Sequence, residues 1–134
     1  MNIGATAQAT GVSAKMIRHY EQIGLITKAP RSAGGYRTYS AKEVHTLRFI
    51  RQARKLGFST QQISELLSLW HDKSRPSRKV KTLALAHIAD LDARIRELNA
   101  MKDALAVLAS HCHGDERTEC PILDGLSRHV EAHG

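Results

Sequence analysis

The two cysteines of the chain, Cys112 and Cys120, lie in a short polar segment near the end of the sequence. Seven residues separate them, and histidine, glycine and charged residues fill most of the interval. Thiolates are soft donors that bind soft metal ions, and two nearby thiols can also form a disulfide or a redox switch. The pair therefore predicts a site for a soft metal or for thiol oxidation.

The neighbours of the cysteines leave three interpretations open. A resting disulfide is disfavoured where thiols stay reduced. A redox switch needs a stabilised thiolate, and Asp115, Glu116 and Glu119 oppose one if they lie close. Zinc usually takes four protein ligands in a structural site or three in a catalytic one, and His111 and His113 are the further candidates for it.

Charge separates the metals that two thiolates could hold. A monovalent ion leaves one net negative charge and a divalent ion leaves none, and a buried net charge is costly unless donors or a helix start lie beside it. Ser77 stands at the predicted start of a long helix. Antiparallel pairing of two copies would place that end beside the partner's cysteine loop, with neutral amides and no third thiolate. The simpler alternative is that Ser77 only caps its helix.

A long helix precedes the cysteine segment, since residues 78–109 contain no Gly or Pro. Its apolar residues have heptad-like spacing: Ala84, Ile88, Leu91, Ile95, Leu98, Met101, Leu105 and Leu108. One apolar stripe cannot stabilise so long a helix alone, and the chain has no second long helix to cover it. We expect a homodimer through an antiparallel coiled coil.

The basic charge is confined to the first half of the chain. Residues 1–70 hold ten Lys or Arg and three Asp or Glu, which accounts for the whole formal charge of +7, and residues 71–134 hold ten of each. This asymmetry is typical of a nucleic-acid-binding domain, although a solvated basic surface is the alternative. The polar segment 71–77 contains Pro76 and is the predicted hinge.

The first half has the pattern of a winged helix-turn-helix domain. Helices are predicted over 3–10 and 14–22, with Gly11 ending the first and Ser13 capping the second. Residues 27–40, here called the wing, contain a Gly-Gly turn and strand-favouring residues, and predict a small hairpin. Two capping boxes open the helices that follow: Ser40 with Glu43, and Ser59 with Gln62.

Several side chains of this domain could contact duplex DNA. A helix-turn-helix places its second helix in the major groove, where Arg reads guanine and Lys holds phosphate. The candidates on that helix are Lys15, Arg18 and His19. The candidates for backbone contacts are Tyr20, Arg31, Tyr36, Arg37 and Arg54. Core packing is a serious alternative for Tyr20, and a solvated helix face is the alternative for Arg54.

Other classes of protein are not favoured. No apolar run approaches the ~20 residues of a membrane span, and the start of the sequence lacks a signal-peptide pattern, so we expect a cytoplasmic protein without a membrane partner. The sequence has no nucleotide-binding loop, no Ser-His-Asp pattern and no paired carboxylates in an apolar setting, so we do not expect an enzyme.

Together these features resemble the MerR family of transcription regulators over essentially the whole chain. The resemblance rests on the long helix and on five further segments: the N-terminal helix-turn-helix with Ile3-Gly4, Ile17-Arg18-His19-Tyr20-Glu21, Gly34-Gly35-Tyr36-Arg37-Thr38-Tyr39, Arg51-Gln52-Ala53-Arg54-Lys55-Leu56-Gly57-Phe58, and the cysteine loop with Pro121-Ile122-Leu123. Within the family, Ser77 and the cysteine loop are similar to the CueR-like branch of monovalent copper sensors. Zinc-, lead- and mercury-responsive members carry a cysteine where this chain has Ser77.

The resemblance implies a mainly α fold with four parts. These are a winged helix-turn-helix DNA-binding domain at 1–70, a hinge at 71–77, a dimerisation helix at 78–109, and a metal-binding loop with a short helix at 110–134. It implies Cu(I) as the ligand of Cys112 and Cys120, possible exchange with Ag(I) or Au(I), and Ser77 beside the site.

The resemblance also implies a mechanism. A homodimer sits on double-stranded promoter DNA, and metal binding distorts the DNA so that RNA polymerase can use both promoter elements. The alternatives are a sensor of divalent zinc, lead, mercury or cadmium, a thiol-redox regulator, and a cytoplasmic copper-binding protein without DNA function.

Overall fold

The computed structural model describes residues 1–31 and 33–129. Within them the fold is mainly helical, as predicted, and the chain divides into two compact units, Met1–Val80 and Lys81–Gly134. The helices are α1 (Ile3–Thr10), α2 (Ala14–Gln22), α3 (Ala41–Lys55), α4 (Thr60–His71), α5 (Ser77–Ser110) and α6 (Pro121–His129). None of the helices in the described residues is both long and apolar enough to cross a membrane.

The helix-turn-helix forms where the sequence predicted it. The Asn2 side chain accepts a hydrogen bond from the Ala5 N–H at 2.8 Å and starts α1. Gly11 ends it in the left-handed region, with φ of 75°, and donates its N–H to the Ala7 carbonyl. Ser13 then accepts from the Met16 N–H at 3.2 Å and starts α2. Both helices have the predicted bounds because their caps are local.

Both predicted capping boxes are present. The Ser40 N–H donates to the Glu43 carboxylate at 3.0 Å at the start of α3. At the start of α4 the Ser59 N–H donates to Gln62 Oε1 at 2.8 Å, and the Gln62 N–H donates to Ser59 Oγ at 3.2 Å. These bonds satisfy N–H groups that a helix start leaves without intrahelical partners.

The core of the first unit lies between the helices. α1 packs against α2 and α3, and α3 packs against α4. The buried apolar cluster consists of Val12, Ile17, Tyr20, Ile26, Ala29, Tyr39, Leu47, Ile50, Ala53, Ile63 and Leu67. At its edge Trp70 stacks on Phe49, with ring centroids 4.6 Å apart. The core thus contains Ile17 and Tyr20 of α2, the candidate DNA-reading helix, which packs against α1.

The predicted hairpin of the wing is reduced to a single antiparallel bridge between Arg31 and Arg37, and no strand forms in the described residues. Pro30 has no N–H to extend a ladder, although its carbonyl accepts from the Thr38 N–H at 2.9 Å. The N–H of Tyr39 donates instead to the Met1 carbonyl at 2.7 Å. The wing is therefore an irregular loop whose base is tied to the start of α1.

The predicted hinge, residues 71–77, begins at the last residue of α4 and ends at the first residue of α5. Within it, the Asp72 carboxylate accepts hydrogen bonds from the Ser74 hydroxyl at 2.7 Å and N–H at 3.0 Å. These two bonds hold the pKa of Asp72 below its usual value. Ser77 is the first residue of the helix rather than the cap before it, a shift within the usual uncertainty of helix ends.

α5 is the long helix that the sequence predicted. His87 is its one buried residue. Its large apolar side chains are between 52% and 64% exposed at Leu85, Ile88, Ile95, Leu98, Met101, Leu105 and Val107. Most of the predicted seam is thus uncovered in the single chain.

Candidate nucleic-acid interface and metal centre

Burial of Ile17 on one side of α2 leaves the basic side of the helix facing solvent. Ile17 has no exposed surface, whereas Lys15, Arg18 and His19 are exposed. Lys15 precedes Arg18 by three residues and His19 by four, so the three side chains share one face of the helix. The structure therefore brings these three candidates together on the surface.

Tyr20 lies apart from that face. Its side chain is only 4% exposed and belongs to the core cluster. Core packing, the alternative that the sequence left open, accounts for this ring. The Tyr20 side chain is therefore not part of the exposed basic surface.

The wing presents its tip to solvent. Tyr36 is 75% exposed, and the exposed Arg31 donates from its guanidinium to the Gly35 carbonyl at 3.3 Å. Arg54, in the last turn of α3, is also exposed. All three side chains lie at the surface, so each can contact a ligand without any change in the core.

Arg37 differs from these candidates because it is an ion-pair partner inside the domain. Its guanidinium lies 3.4 Å from Glu21 Oε1, and the side chains of Arg37 and Glu21 are 29% and 1% exposed. The contact of Arg37 with the DNA backbone stays a prediction, and within the domain its charge meets a buried carboxylate.

Sequence reasoning gave no role to Glu21. It is one of three acidic residues in the first 70, and that scarcity is the signal that could have singled it out. Its carboxylate also accepts from the Ala29 N–H at 3.2 Å and from the Tyr39 hydroxyl. Burial, and then the hydrogen bond to Glu21, raise the pKa of Tyr39 to about 12.

The two cysteines occupy the two ends of the loop between α5 and α6. Cys112 continues the last turn of α5, with its N–H donating to the Ala109 carbonyl at 3.1 Å. The carbonyl of Cys120 accepts from the Asp124 N–H at 3.1 Å and so opens α6. Both are half-buried free thiols. The backbone therefore fixes each cysteine by a helix end.

The loop between the cysteines has local structure of its own. Asp115 accepts from the Arg117 N–H at 3.0 Å and forms an ion pair with the Arg117 guanidinium at 3.1 Å. Gly114 has φ of 64°, the left-handed region that glycine adopts without strain. The ion pair neutralises one of the three carboxylates in the loop.

The two histidines beside the cysteines have different surroundings. The Nδ1 atom of His111 lies 2.7 Å from the Val107 carbonyl, so this ring caps the end of α5, and His113 is exposed. In the described part of the chain, no group of three or more His, Cys, Asp or Glu is placed to hold a metal ion. Ser77 is exposed at the first residue of α5, and its place beside a partner's loop stays a prediction.

Comparison with known proteins places the chain in a family. The description "MerR HTH family regulatory protein" matches residues 1–70, and "MerR, DNA binding" matches residues 44–108. The HTH-type transcriptional regulator HmrR of Sinorhizobium medicae is 57% identical over 96% of this chain and 87% of its own length. The HTH-type transcriptional regulator CueR of Salmonella typhimurium is 44% identical over 95% of this chain and 92% of its own length.

Among solved structures, the transcription regulator PbrR691 of Ralstonia metallidurans in complex with lead(II) superposes with a TM-score of 0.80 at 31% identity. It covers 94% of this chain and 98% of that one. These relatives are transcription regulators, so the chain is not an enzyme. The chain belongs to the MerR family of helix-turn-helix regulatory proteins.

Proposed function

We propose that this chain is a metal-responsive transcription regulator that senses Cu(I) through Cys112 and Cys120. The observation that carries the proposal is the placement of two free thiols at the ends of one loop, with no third metal-binding side chain grouped with them in the described residues. Two thiolates suit a soft monovalent ion, whereas zinc usually needs further ligands. Ag(I) and Au(I) have the same preference and are expected to bind as well.

The surroundings of the cysteines suit a site that keeps one negative charge. Cys120 directly precedes α6, whose first N–H groups carry the partial positive charge of a helix start. The Arg117 guanidinium is in the same loop and pairs with Asp115. The start of α6 opposes the net charge that two thiolates and one monovalent ion leave, whereas the charge of Arg117 is already paired with Asp115.

The DNA-binding part of the proposal rests on the exposed basic surface of the first unit. Lys15, Arg18 and His19 on α2 would enter the major groove of double-stranded promoter DNA. Tyr36 and Arg54 would contact the phosphate backbone on either side. As a regulator of transcription the protein would act in the cytoplasm.

The exposed seam of α5 supports a homodimer. Its apolar side chains would be buried by the same helix of a second copy. Antiparallel pairing would bring the partner's helix start, with Ser77, towards the cysteine loop. Metal binding would then change the dimer, and the distorted promoter would become usable by RNA polymerase.

A divalent or thiol-redox sensor is the second candidate. PbrR691, whose solved structure is similar to this chain, was solved in complex with lead(II), which is a divalent ion. The serine at position 77, in place of the cysteine that the resemblance implies for divalent sensors, favours the monovalent ion. A copper-binding protein without DNA function does not fit a member of this family.

An oxygen-free titration tests the choice of metal. The reduced chain is titrated with Cu(I) against a strong competing chelator, with zinc in parallel. We expect tight uptake of one copper per chain, lost in Cys112→Ser and kept in His113→Ala, which removes a neighbouring candidate ligand. Preferential zinc uptake that depends on His113 would overturn the Cu(I) assignment and favour the divalent candidate.

A further inference from the structure

We propose that Glu21 is a positioning residue that fixes the wing against α2, so that both parts of the domain contact the same DNA. The inference rests on the DNA-binding role proposed above and adds to it a residue that does not itself touch DNA. Glu21 lies in the last turn of α2, three residues after Arg18.

Every hydrogen bond described for the Glu21 carboxylate comes from the wing. One oxygen accepts from the Ala29 N–H at 3.2 Å. The other accepts from the Tyr39 hydroxyl and from the Arg37 guanidinium, the latter at 3.4 Å. These three partners lie near the start, near the tip and at the base of the wing, so a single carboxylate links distant points of one loop to α2.

Because the Glu21 carboxylate is buried, it needs these hydrogen-bond donors. The Glu21 side chain is 1% exposed, and a carboxylate without partners at such a position is very unfavourable. Its burial is therefore compensated only when the wing is seated with all three donors in place. In its described residues the wing has only one ladder bridge, between Arg31 and Arg37, and its base is tied to Met1 by the Tyr39 N–H.

The same contacts leave the DNA-facing surface basic. Glu21 would repel phosphate if it were exposed beside Arg18, but its charge is buried and paired with Arg37. Arg37 thus acts through Glu21 by seating the wing. The exposed Tyr36 next to it is then held at a fixed distance from the basic face of α2.

A double-mutant cycle tests the coupling. The probe is a duplex selected by the wild-type chain from a randomised pool, and affinity is measured by fluorescence anisotropy. Tyr36→Ala is expected to weaken binding of the wild type on the order of tenfold, but to change the affinity of Glu21→Gln less than about twofold. Glutamine keeps the shape but cannot accept from all three donors, because its NH₂ group only donates.

Lys15→Ala is the matched control, since it removes a contact on α2 that does not depend on the wing. It should cost the same in the wild type and in Glu21→Gln. A general loss of folding would reduce both effects alike. If Glu21→Gln does not fold, Tyr39→Phe, which removes one donor, enters the same cycle.

Two results would overturn the positioning role: a full Tyr36→Ala effect in the Glu21→Gln background, or no Tyr36→Ala effect in the wild type. Failure of the wild type to select any duplex would instead refute the proposed DNA-binding function. The cycle therefore separates failure of the inference from failure of the function on which it rests.

Discussion

Leu108 and Gly125 lie against each other so closely that a Cβ atom at Gly125 would overlap the end of the Leu108 side chain. Leu108 is in the last turns of α5, and Gly125 is in α6. A side chain at position 125 would therefore require the end of the Leu108 side chain to move. Because α6 starts directly after Cys120, the position of α6 against α5 also sets the position of the end of the cysteine loop.

Gly125→Val should loosen α6. Valine favours a helix over glycine, but its side chain must displace Leu108, and overpacking of this kind costs about 1–3 kcal/mol. We expect faster amide hydrogen exchange across 121–129. Ser127→Val, at an exposed position of the same helix, is the control for valine and should leave exchange slow. Unchanged exchange in Gly125→Val would show that Leu108 moves aside freely.

Replacing either cysteine should separate DNA binding from activation. Cys112→Ser and Cys120→Ser leave the first unit intact, so operator affinity should stay at the wild-type level while metal-induced transcription is lost. A promoter-reporter assay with added copper measures the loss. His113→Ala is the control and should respond as the wild type does. Full activation by either serine variant would refute the role assigned to the thiols.

Arg18 and Lys15 should differ in what they contribute to DNA binding. Arg18→Ala should cost about 1–3 kcal/mol and relax the preference for one base pair, because arginine reads guanine. Lys15→Ala should weaken all duplexes alike and lower the salt slope of binding by about one. Anisotropy titrations at several salt concentrations compare the two. Equal losses on every sequence for both variants would contradict base reading by Arg18.

Leu98→Asp should produce monomers. Leu98 is 63% exposed in the single chain, so the change costs little within one copy but places a charge in the predicted seam. Sedimentation equilibrium should show a lower mass than for the wild type. Asn99→Asp adds the same charge at the next residue, outside the seam, and should remain dimeric. A dimeric Leu98→Asp would move the interface elsewhere.

Alkaline pH should destabilise the first unit through Tyr39. Folding raises the pKa of this phenol from 10.0 to about 12, so the folded state holds the proton more tightly than the unfolded state does. The resulting stabilisation is complete below pH 10 and is lost as the pH rises through about 12. Urea unfolding at a series of pH values should show a smaller fall for Tyr39→Phe, whereas Tyr36→Phe should behave as the wild type does.

Local signals made the helices predictable. The boxes of Ser40 with Glu43 and Ser59 with Gln62 join residues three apart, so their spacing in the sequence already contains the geometry. α5 was equally clear, because residues 78–109 contain nothing that stops a helix. The cysteine positions follow from the same logic, since one follows the predicted helix and the other precedes Pro121, a residue that favours the first turn of a helix.

Contacts over long separations were not predictable in this way. Glu21 meets donors 8, 16 and 18 residues further along the chain, so no local spacing identifies it. The composition of the wing favours strands and so predicts a hairpin. In the structure the Tyr39 N–H instead donates a hydrogen bond to the Met1 carbonyl, which lies far away in the sequence. The packing of Gly125 on Leu108 likewise depends on how α6 returns to α5.

Because α5 leaves most of its large apolar side chains in water, its stability should follow mass action. If a second copy covers them, unfolding and dissociation become one reaction, and the melting temperature rises with protein concentration. A cell holding few copies would then keep a larger share of unpaired chains open to proteases. Dimerisation through α5 would therefore set how much of the regulator survives proteolysis, even before any metal is present.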